Sequence, residues 1–317
     1  MRKSILTFIA CLTATITFAQ KVTLAGTVTD KQNKPVAFAF IKDATHNYAT
    51  FSDAGGGFTL EVDNADRVIV SARNFTPVVV KVSDPQKVNV VMADYDASKP
   101  VTKINSEVFK DRLSSEGLTR NAGSVYVAHE NTVHGSRYLF EDWVHGYVTT
   151  MADSIKQNDS YLFNYIKTEG NLLFTDDGSA VKEIDRRLIK GFTLVDNQGQ
   201  SFVFESVPAI DPNHFVQLLE TGKSYKIYKQ LITKFIPNNY VSNGMTSSGN
   251  NYDELKDEPV YYAVRSGGAP VKFALKSKSI KTTFAADVDK VKKFESAHDS
   301  DEIDDKYLIG LGEFLNN

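Results

Sequence analysis

Apolar residues alternate with period two through the first part of the chain. Val22, Leu24 and Val28 share one parity, as do Val36, Phe38 and Phe40. The pattern returns at Phe58, Leu60 and Val62, at Val68 and Val70, at Val78, Val80 and Val82, and at Val88, Val90 and Met92. Strands place alternate side chains on opposite faces, so these runs predict half-buried strands. Turn-rich breaks separate them at Asp30–Pro35, Ser52–Gly57, Asp63–Asp66 and Asp84–Pro85. About seven short strands at this spacing predict a β-sandwich over residues 20–93.

Residues 94–118 read as a linker and a short helix. Asp94–Val101 (DYDASKPV) is polar and holds a proline, and Ile104, Val108, Phe109 and Leu113 then fall on one helical face that ends at Gly117. Residues 119–317 read as a second, β-rich domain. Strand-like runs occur at Ser124–Ala128, Arg137–Phe140, Tyr147–Met151, Tyr161–Tyr165, Asn171–Phe174, Ile189–Leu194, Ser201–Glu205, Phe215–Glu220, Tyr225–Phe235, Val260–Val264 and Val271–Leu275. Gly, Asn and Asp fill most gaps, which predicts an antiparallel meander. The polar stretch Asn238–Glu258 reads as a mobile loop between strands.

The period changes at the C-terminus. Val288, Val291 and Phe294 are three apart, and Ile303, Tyr307, Leu308, Leu311, Phe314 and Leu315 fit one helical face. Asp301 is the expected N-cap, with Asp304 and Asp305 in the first turn facing the helix dipole. Two helices are therefore expected to close the domain.

Composition adds a location. The chain opens MRKSILTFIACLTATITFAQ, with basic Arg2 and Lys3, an apolar run to Phe18, and small residues at Thr17 and Ala19. That is the form of a secretory signal peptide, residues 1–19, cut after Ala19. Cys11 is the only cysteine, so the exported chain would hold none. Disulfide scaffolds, thiolate nucleophiles and cysteine-ligated zinc are excluded with it. The formal charge is −3, and losing Arg2 and Lys3 makes it two units more negative. Mild acidity argues against a nucleic-acid partner. No later run approaches the roughly 20 apolar residues of a membrane span.

Specific residues carry a resemblance. "GTVTDKQNKPVAFAFI", "TFSDAGGGFTLEV" and "IVSARNF" resemble the carboxypeptidase-regulatory-like domain, a transthyretin-like sandwich found at the N-terminus of exported Bacteroidetes proteins. Gly26, Val28, Asp30, Pro35, Asp53, Gly56, Phe58, Ser71 and Phe75 match its pattern. Two of its glycines are replaced, by Asn33 or Lys34 before Pro35 and by Asn74 before Phe75. Asn tolerates left-handed backbone almost as well as Gly. The resemblance implies a non-catalytic accessory module. In that family it often precedes an outer-membrane receptor barrel, for which the length after Ala93 is too short. From Gly135 onward, "GSRYLFEDWVHGYV", "YLFNYI", "FTLV" and "YYAV" are similar to a recurrent domain of exported Bacteroidetes proteins to which no activity is attached.

The densest candidate chemistry lies in "HENTVHGSRYLFEDWVHGY", His129–Tyr147, within one residue of the zinc-protease HExxH. Helical residues four apart lie about 40° apart around the axis, so one metal can reach both. His129 and His134 are five apart, about 140° round the helix, and on a strand they take opposite faces. His145 shares parity with His129 but lies about 50 Å further along an extended strand. Only a chain reversal could gather His129, His134 and His145, so they are weak metal candidates. Trp143 beside Asp142 is a candidate sugar platform or a core anchor. Tyr161, Tyr165, Tyr261 and Tyr262 are candidate binding residues on strands, half of which should point inward. No nucleophile elbow, phosphate loop or calcium loop is present.

The expected protein is mainly β. A seven-stranded transthyretin-like sandwich precedes an antiparallel β-rich domain with C-terminal α-helices. Its expected role is non-enzymatic, as an exported accessory protein of a Gram-negative periplasm or cell surface, binding an envelope protein or glycan without a cofactor. The alternative is a hydrolase acting on envelope polysaccharide or peptide through a cleft in the second domain.

Overall fold

The computed structural model describes residues 22–62, 67–82, 87–95, 119–120, 133–176, 180–242 and 246–317. The leader, the helix after Ile104, the strand Ser124–Ala128 and His129 lie outside the described residues. The fold is mainly β, with several antiparallel sheets and helices at the C-terminus.

The N-terminal unit holds Val22–Asp30 (β1), Phe40–Asp43 (β2), Ala49–Phe51 (β3), Gly57–Val62 (β4), Arg67–Ser71 (β5), Phe75–Thr76 (β6), Val78–Lys81 (β7) and Val88–Asp94 (β8). They form two four-stranded sheets, β4-β1-β8-β6 and β3-β2-β5-β7. β6 and β7 are one run broken at Pro77. Proline cannot donate to a ladder, and the run changes sheets there. Leu24, Val28, Phe58 and Met92 from one sheet meet Ile41, Val68 and Val70 from the other in a single core.

The turns follow their residues. Asp53 accepts the backbone N–H groups of Gly55 and Gly57, each at 2.8 Å, and Gly56 is left-handed at φ 77°. Asn33 and Asn74 are left-handed as well, at φ 61° and 67°.

One alternation does not survive. Phe38 also has a left-handed φ of 54°, a costly conformation for a bulky aromatic residue. The kink splits the expected Val36/Phe38/Phe40 face. Val36, Ala39 and Ile41 enter the sandwich core, whereas Phe38 and Phe40 face the second unit.

The second unit begins with Thr119–Arg120 (β9), Val133–His134 (β10), His145–Thr150 (β11), Ile155–Lys156 (β12), Leu162–Ile166 (β13), Asn171–Thr175 (β14) and Lys182–Ile184 (β15). It continues through Ile189–Val195 (β16), Ser201–Ser206 (β17), Phe215–Thr221 (β18), Tyr225–Ile236 (β19), Val241–Ser242 (β20), Ser247–Ser248 (β21), Asp253–Arg265 (β22) and Val271–Phe273 (β23). The main sheet has nine strands, β10-β22-β19-β18-β17-β16-β11-β12 with β23 on β22. β16 to β19 form the expected meander. A smaller sheet runs β13-β14-β15-β9. Arg137–Phe140, expected as a strand, makes only an isolated bridge at Tyr138.

Register assigns the faces. Val148, Phe192, Phe204, Gln217, Lys229 and Tyr261 lie opposite one another from strand to strand, so they share one face. At one end of that face the smaller sheet packs Phe163, Tyr165, Leu172 and Phe174 against Phe192 and Phe204. At the other end helices pack on Tyr225, Ile227, Tyr261 and Ala263. The opposite face presents Tyr147 and Val195 to Phe40 and Phe51 of the sandwich, with Ile155 of the adjoining strand.

Three α-helices close the chain rather than two: Ser277–Thr283 (α1), Val288–Ala297 (α2) and Asp305–Asn316 (α3). α1 was hidden because only Ile280 of its residues is buried. The cap of α3 is Asp304, whose Oδ1 accepts the Tyr307 N–H at 2.9 Å, and not Asp301. The Asp301 N–H instead donates to the His298 carbonyl beyond α2.

β19 and β22 pair over twelve residues, from Tyr225↔Arg265 to Ile236↔Glu254. Asp253–Glu258 is thus strand, not loop. Asp253–Glu258 has one apolar residue, Leu255, so this part of the β19–β22 ribbon shows no apolar alternation.

Candidate functional site

The described part of the segment His129–Tyr147, Val133–Tyr147, is a strap. Gly135, at φ 85°, lies so close to the Leu255 carbonyl that a Cβ would sit 2.2 Å from its oxygen. The chain then crosses to β13, where the Leu139 N–H donates to the Tyr165 carbonyl at 2.9 Å. Asn164 pins the crossing through bonds to Phe140 N–H, Phe140 O and Asp142 O. His134 stacks on Tyr252, with ring centroids 3.7 Å apart. His145 stacks on Phe38 at 4.6 Å and touches Phe51 at 5.9 Å. The two imidazoles serve different contacts. Among the described residues no three His, Asp or Glu side chains gather as a metal site requires.

The aromatic candidates are equally dispersed. Tyr165 is buried among Phe192, Phe204 and Phe215, and its oxygen accepts the Phe215 N–H at 3.1 Å. Burial pushes its hydroxyl well above the ordinary range. Tyr161 packs on Phe174 at the rim of the same core. Tyr261 is buried under α3 and donates to Asp305 Oδ1 at 2.9 Å; burial first, then that carboxylate, raises its pKa. Tyr262 is half-buried on the opposite face and donates to Gln230 at 3.1 Å. Trp143 is half-buried in the turn before β11 and belongs to none of the four apolar clusters of the described residues.

A groove of about 450 Å³ crosses the sandwich-facing side of the main sheet, lined by Thr149, Asp153, Lys190, Thr193, Glu205 and Lys226 among others. Two backbone irregularities shape it. The pairing of β11 with β16 slips between Thr149 and Thr150, which makes Lys190 an extra, bulged residue. Asp153, at the turn after β11, is left-handed at φ 58° and meets Lys190 Nζ at 2.5 Å. Across the groove, Lys226 Nζ donates to both Glu205 oxygens, at 3.1 and 3.2 Å. The Tyr228 hydroxyl donates to Glu205 Oε2 at 2.6 Å. Burial, then this carboxylate, drives the Tyr228 pKa far up, so it remains a donor. Lys190 and Asp153 are 37 residues apart, and Glu205 and Tyr228 are 23 apart, so only the strand register could have revealed the group.

A second polar cluster is local. Asp211 accepts N–H bonds from Asn213 and His214, contacts His214 Nδ1 at 3.1 Å and receives Gln230 Nε2 at 2.7 Å. Burial raises its pKa, but the donors from Asn213 and His214 outweigh it and hold the carboxyl below the ordinary value. Asp43 and His46 make the same Asp-x-x-His turn in the sandwich, with Nδ1 and Oδ2 at 3.0 Å. A motif repeated in both units, with local bonds each time, builds turns.

Comparison with protein-family models and with curated proteins finds no match to this chain.

Proposed function

We propose that this chain is a non-enzymatic accessory protein of a Gram-negative cell envelope, exported to the periplasm or surface, and that it binds a glycan. The carboxypeptidase-regulatory-like pattern and the signal-type leader support the location. The groove beside the sandwich supports the ligand. Its volume lies in the range of about 300–1,000 Å³ usual for small-ligand pockets. Its two cations and two anions balance, which suits a neutral ligand. Thr149 and Thr193 add hydroxyls that can exchange bonds with sugar hydroxyls.

The observation that carries the non-enzymatic reading is the engagement of both carboxylates. Glu205 is held by Lys226 and Tyr228, and Asp153 by Lys190. A glycosidase needs a carboxyl group free to trade protons with its substrate. Titration calorimetry of neutral envelope oligosaccharides against the full chain is the test. Binding that falls at least ten-fold in Lys226→Ala, with the sugar recovered intact, is the expected result. Release of new reducing ends would transfer the groove to the hydrolase reading. Absence of binding across the oligosaccharides would remove the glycan.

A further inference from the structure

A second cavity, of about 640 Å³, opens where the sandwich meets the hairpin between β16 and β17. Thr27, Thr50, Thr59 and Ser201 line it with hydroxyls, and Lys87 and Asp53 supply one charge of each sign. All of these except Ser201 come from the sandwich, so the cavity belongs to both units. Boundaries between units are a preferred place for ligands. Gly199 of the hairpin comes so near the Asp53 turn that a Cβ there would lie 3.6 Å from the Asp53 Cβ. The cavity adjoins the groove. Ser201, Val203 and Glu205 alternate along β17 and therefore face the same side. Ser201 lines the cavity, whereas Val203 and Glu205 line the groove. From the sandwich side, Phe51 lines the cavity and stacks on Tyr147 at 6.3 Å, and Tyr147 lies directly opposite Thr193 of the groove.

We infer that this cavity is a second subsite for the ligand of the groove, and that the ligand is an unbranched neutral oligosaccharide lying along β17 across both. This subsite rests on the glycan reading of the groove and adds the length of the ligand. From Ser201 to Glu205 the strand alone spans about 14 Å. A disaccharide fills one of the two places, whereas a hexasaccharide reaches both. Charge selects the same ligand in each. Lys87 balances Asp53 in the cavity, as Lys190 and Lys226 balance Asp153 and Glu205 in the groove. A uniformly anionic polymer would meet a carboxylate in both places. The hydroxyls of the cavity can donate to and accept from sugar hydroxyls. Asp53 is committed to its own turn, where Oδ1 accepts the Gly55 and Gly57 N–H groups, so the cavity holds the chain without cutting it.

The test is titration calorimetry on the full chain. Its probes are the disaccharide and the unbranched hexasaccharide of glucose, of mannose and of N-acetylglucosamine. In the series that binds, the hexasaccharide is expected to bind at least ten-fold more tightly than the disaccharide. Ser201→Phe and Thr59→Phe each fill the cavity with a ring, at exposed strand positions that accept an aromatic side chain. Each is expected to weaken the hexasaccharide at least ten-fold and to leave the disaccharide unchanged, which also reports an intact fold. Lys226→Ala, in the groove, is expected to weaken both lengths. Equal affinity for the two lengths would overturn the second subsite and leave the groove reading standing. So would a hexasaccharide that binds both filled variants as tightly as the parent. Disaccharide binding that the filled variants abolish and Lys226→Ala spares would confine the ligand to the cavity and overturn the shared path. No binding of either length in any series would overturn the subsite and the glycan reading together.

Discussion

The imidazole of His145 lies flat on the ring of Phe38, with centroids 4.6 Å apart and planes 19° apart. One residue begins β11 of the main sheet, and the other is the left-handed kink of the sandwich. The strained backbone at Phe38 thus has a structural use: it turns a ring out of the sandwich core and onto the second unit. Phe40 and Tyr147 extend the contact at 5.7 Å, and the Tyr147 hydroxyl donates to the Ala49 carbonyl at 3.3 Å. Ser71 of the sandwich donates to Asp159 at 2.9 Å. The two units are docked through a mixed apolar and hydrogen-bonded face.

That docking has a measurable coupling. Stacked aromatic pairs contribute about 0.5–1.5 kcal/mol beyond their area. A double-mutant cycle of Phe38→Ala and His145→Ala is expected to return a coupling of about 1 kcal/mol in urea unfolding. Strict additivity of the two losses would show that the stack contributes nothing of its own.

The same contact makes stability depend on pH. Burial is the main influence on His145 and lowers its pKa from 6.5; Asp159 opposes this and Arg73 adds to it. The unfolded chain therefore takes up the proton before the folded chain does. The contribution is complete above 6.5 and is lost as the pH falls through the lower folded-state value. His145→Phe keeps a ring on Phe38 and cannot titrate. Its melting temperature is expected to fall less than that of the parent between pH 7 and about pH 5. Parallel curves for the two proteins would remove His145 from the acid response.

Much of the strand layout was legible because one face of most strands is buried, which writes alternation into the residues. Asn74 was legible through the backbone conformation it permits, whereas the sequence left Asn33 and Lys34 as alternatives and it is Asn33 that is left-handed. Phe38 was not legible, since a single left-handed residue swaps the faces of everything after it. Asp253–Glu258 was misread as loop because Leu255 is its one apolar residue and a single position writes no alternation. The groove was invisible: Lys190, Glu205 and Lys226 meet only through bulges and register, and no short motif records either. Alternation placed about half of the four tyrosine candidates inward without saying which, and burial with satisfied hydroxyls assigns Tyr165 and Tyr261 to the core.

The ribbon is tied down by an ion pair whose two ends are unequal. The Lys167 side chain is 7% exposed and Asp257 is 36% exposed, with Nζ and Oδ2 at 2.5 Å. Thr233 adds a 2.6 Å bond to the other Asp257 oxygen. Removing Asp257 leaves a buried ammonium short of its acceptor, whereas Lys167→Met removes the charge and keeps the bulk. Asp257→Ala is expected to cost about 1–3 kcal/mol, and Lys167→Met less. Chemical denaturation of both variants is the check, and an equal or reversed order would contradict this account.

The start of α3 separates two aspartates that look alike in the sequence. Asp304 accepts the Tyr307 N–H, filling one of the donor positions that a helix leaves open at its first turn. Asp305 is committed elsewhere, to Lys229 at 2.5 Å and to the Tyr261 hydroxyl. Asp301 offers only its backbone, to the His298 carbonyl at 3.2 Å, and alanine retains that bond. Asp304→Ala is expected to lower stability by about 1 kcal/mol, the usual effect of losing an N-cap. Asp301→Ala is expected to stay within about 0.5 kcal/mol of the parent. Because α3 covers Tyr225 and Ile227 of the main sheet, the loss at Asp304 should appear in global unfolding as well as in helix fraying. Hydrogen exchange of the Leu308 and Leu311 amides distinguishes the two. Faster exchange there with an unchanged midpoint would confine the effect to the helix end.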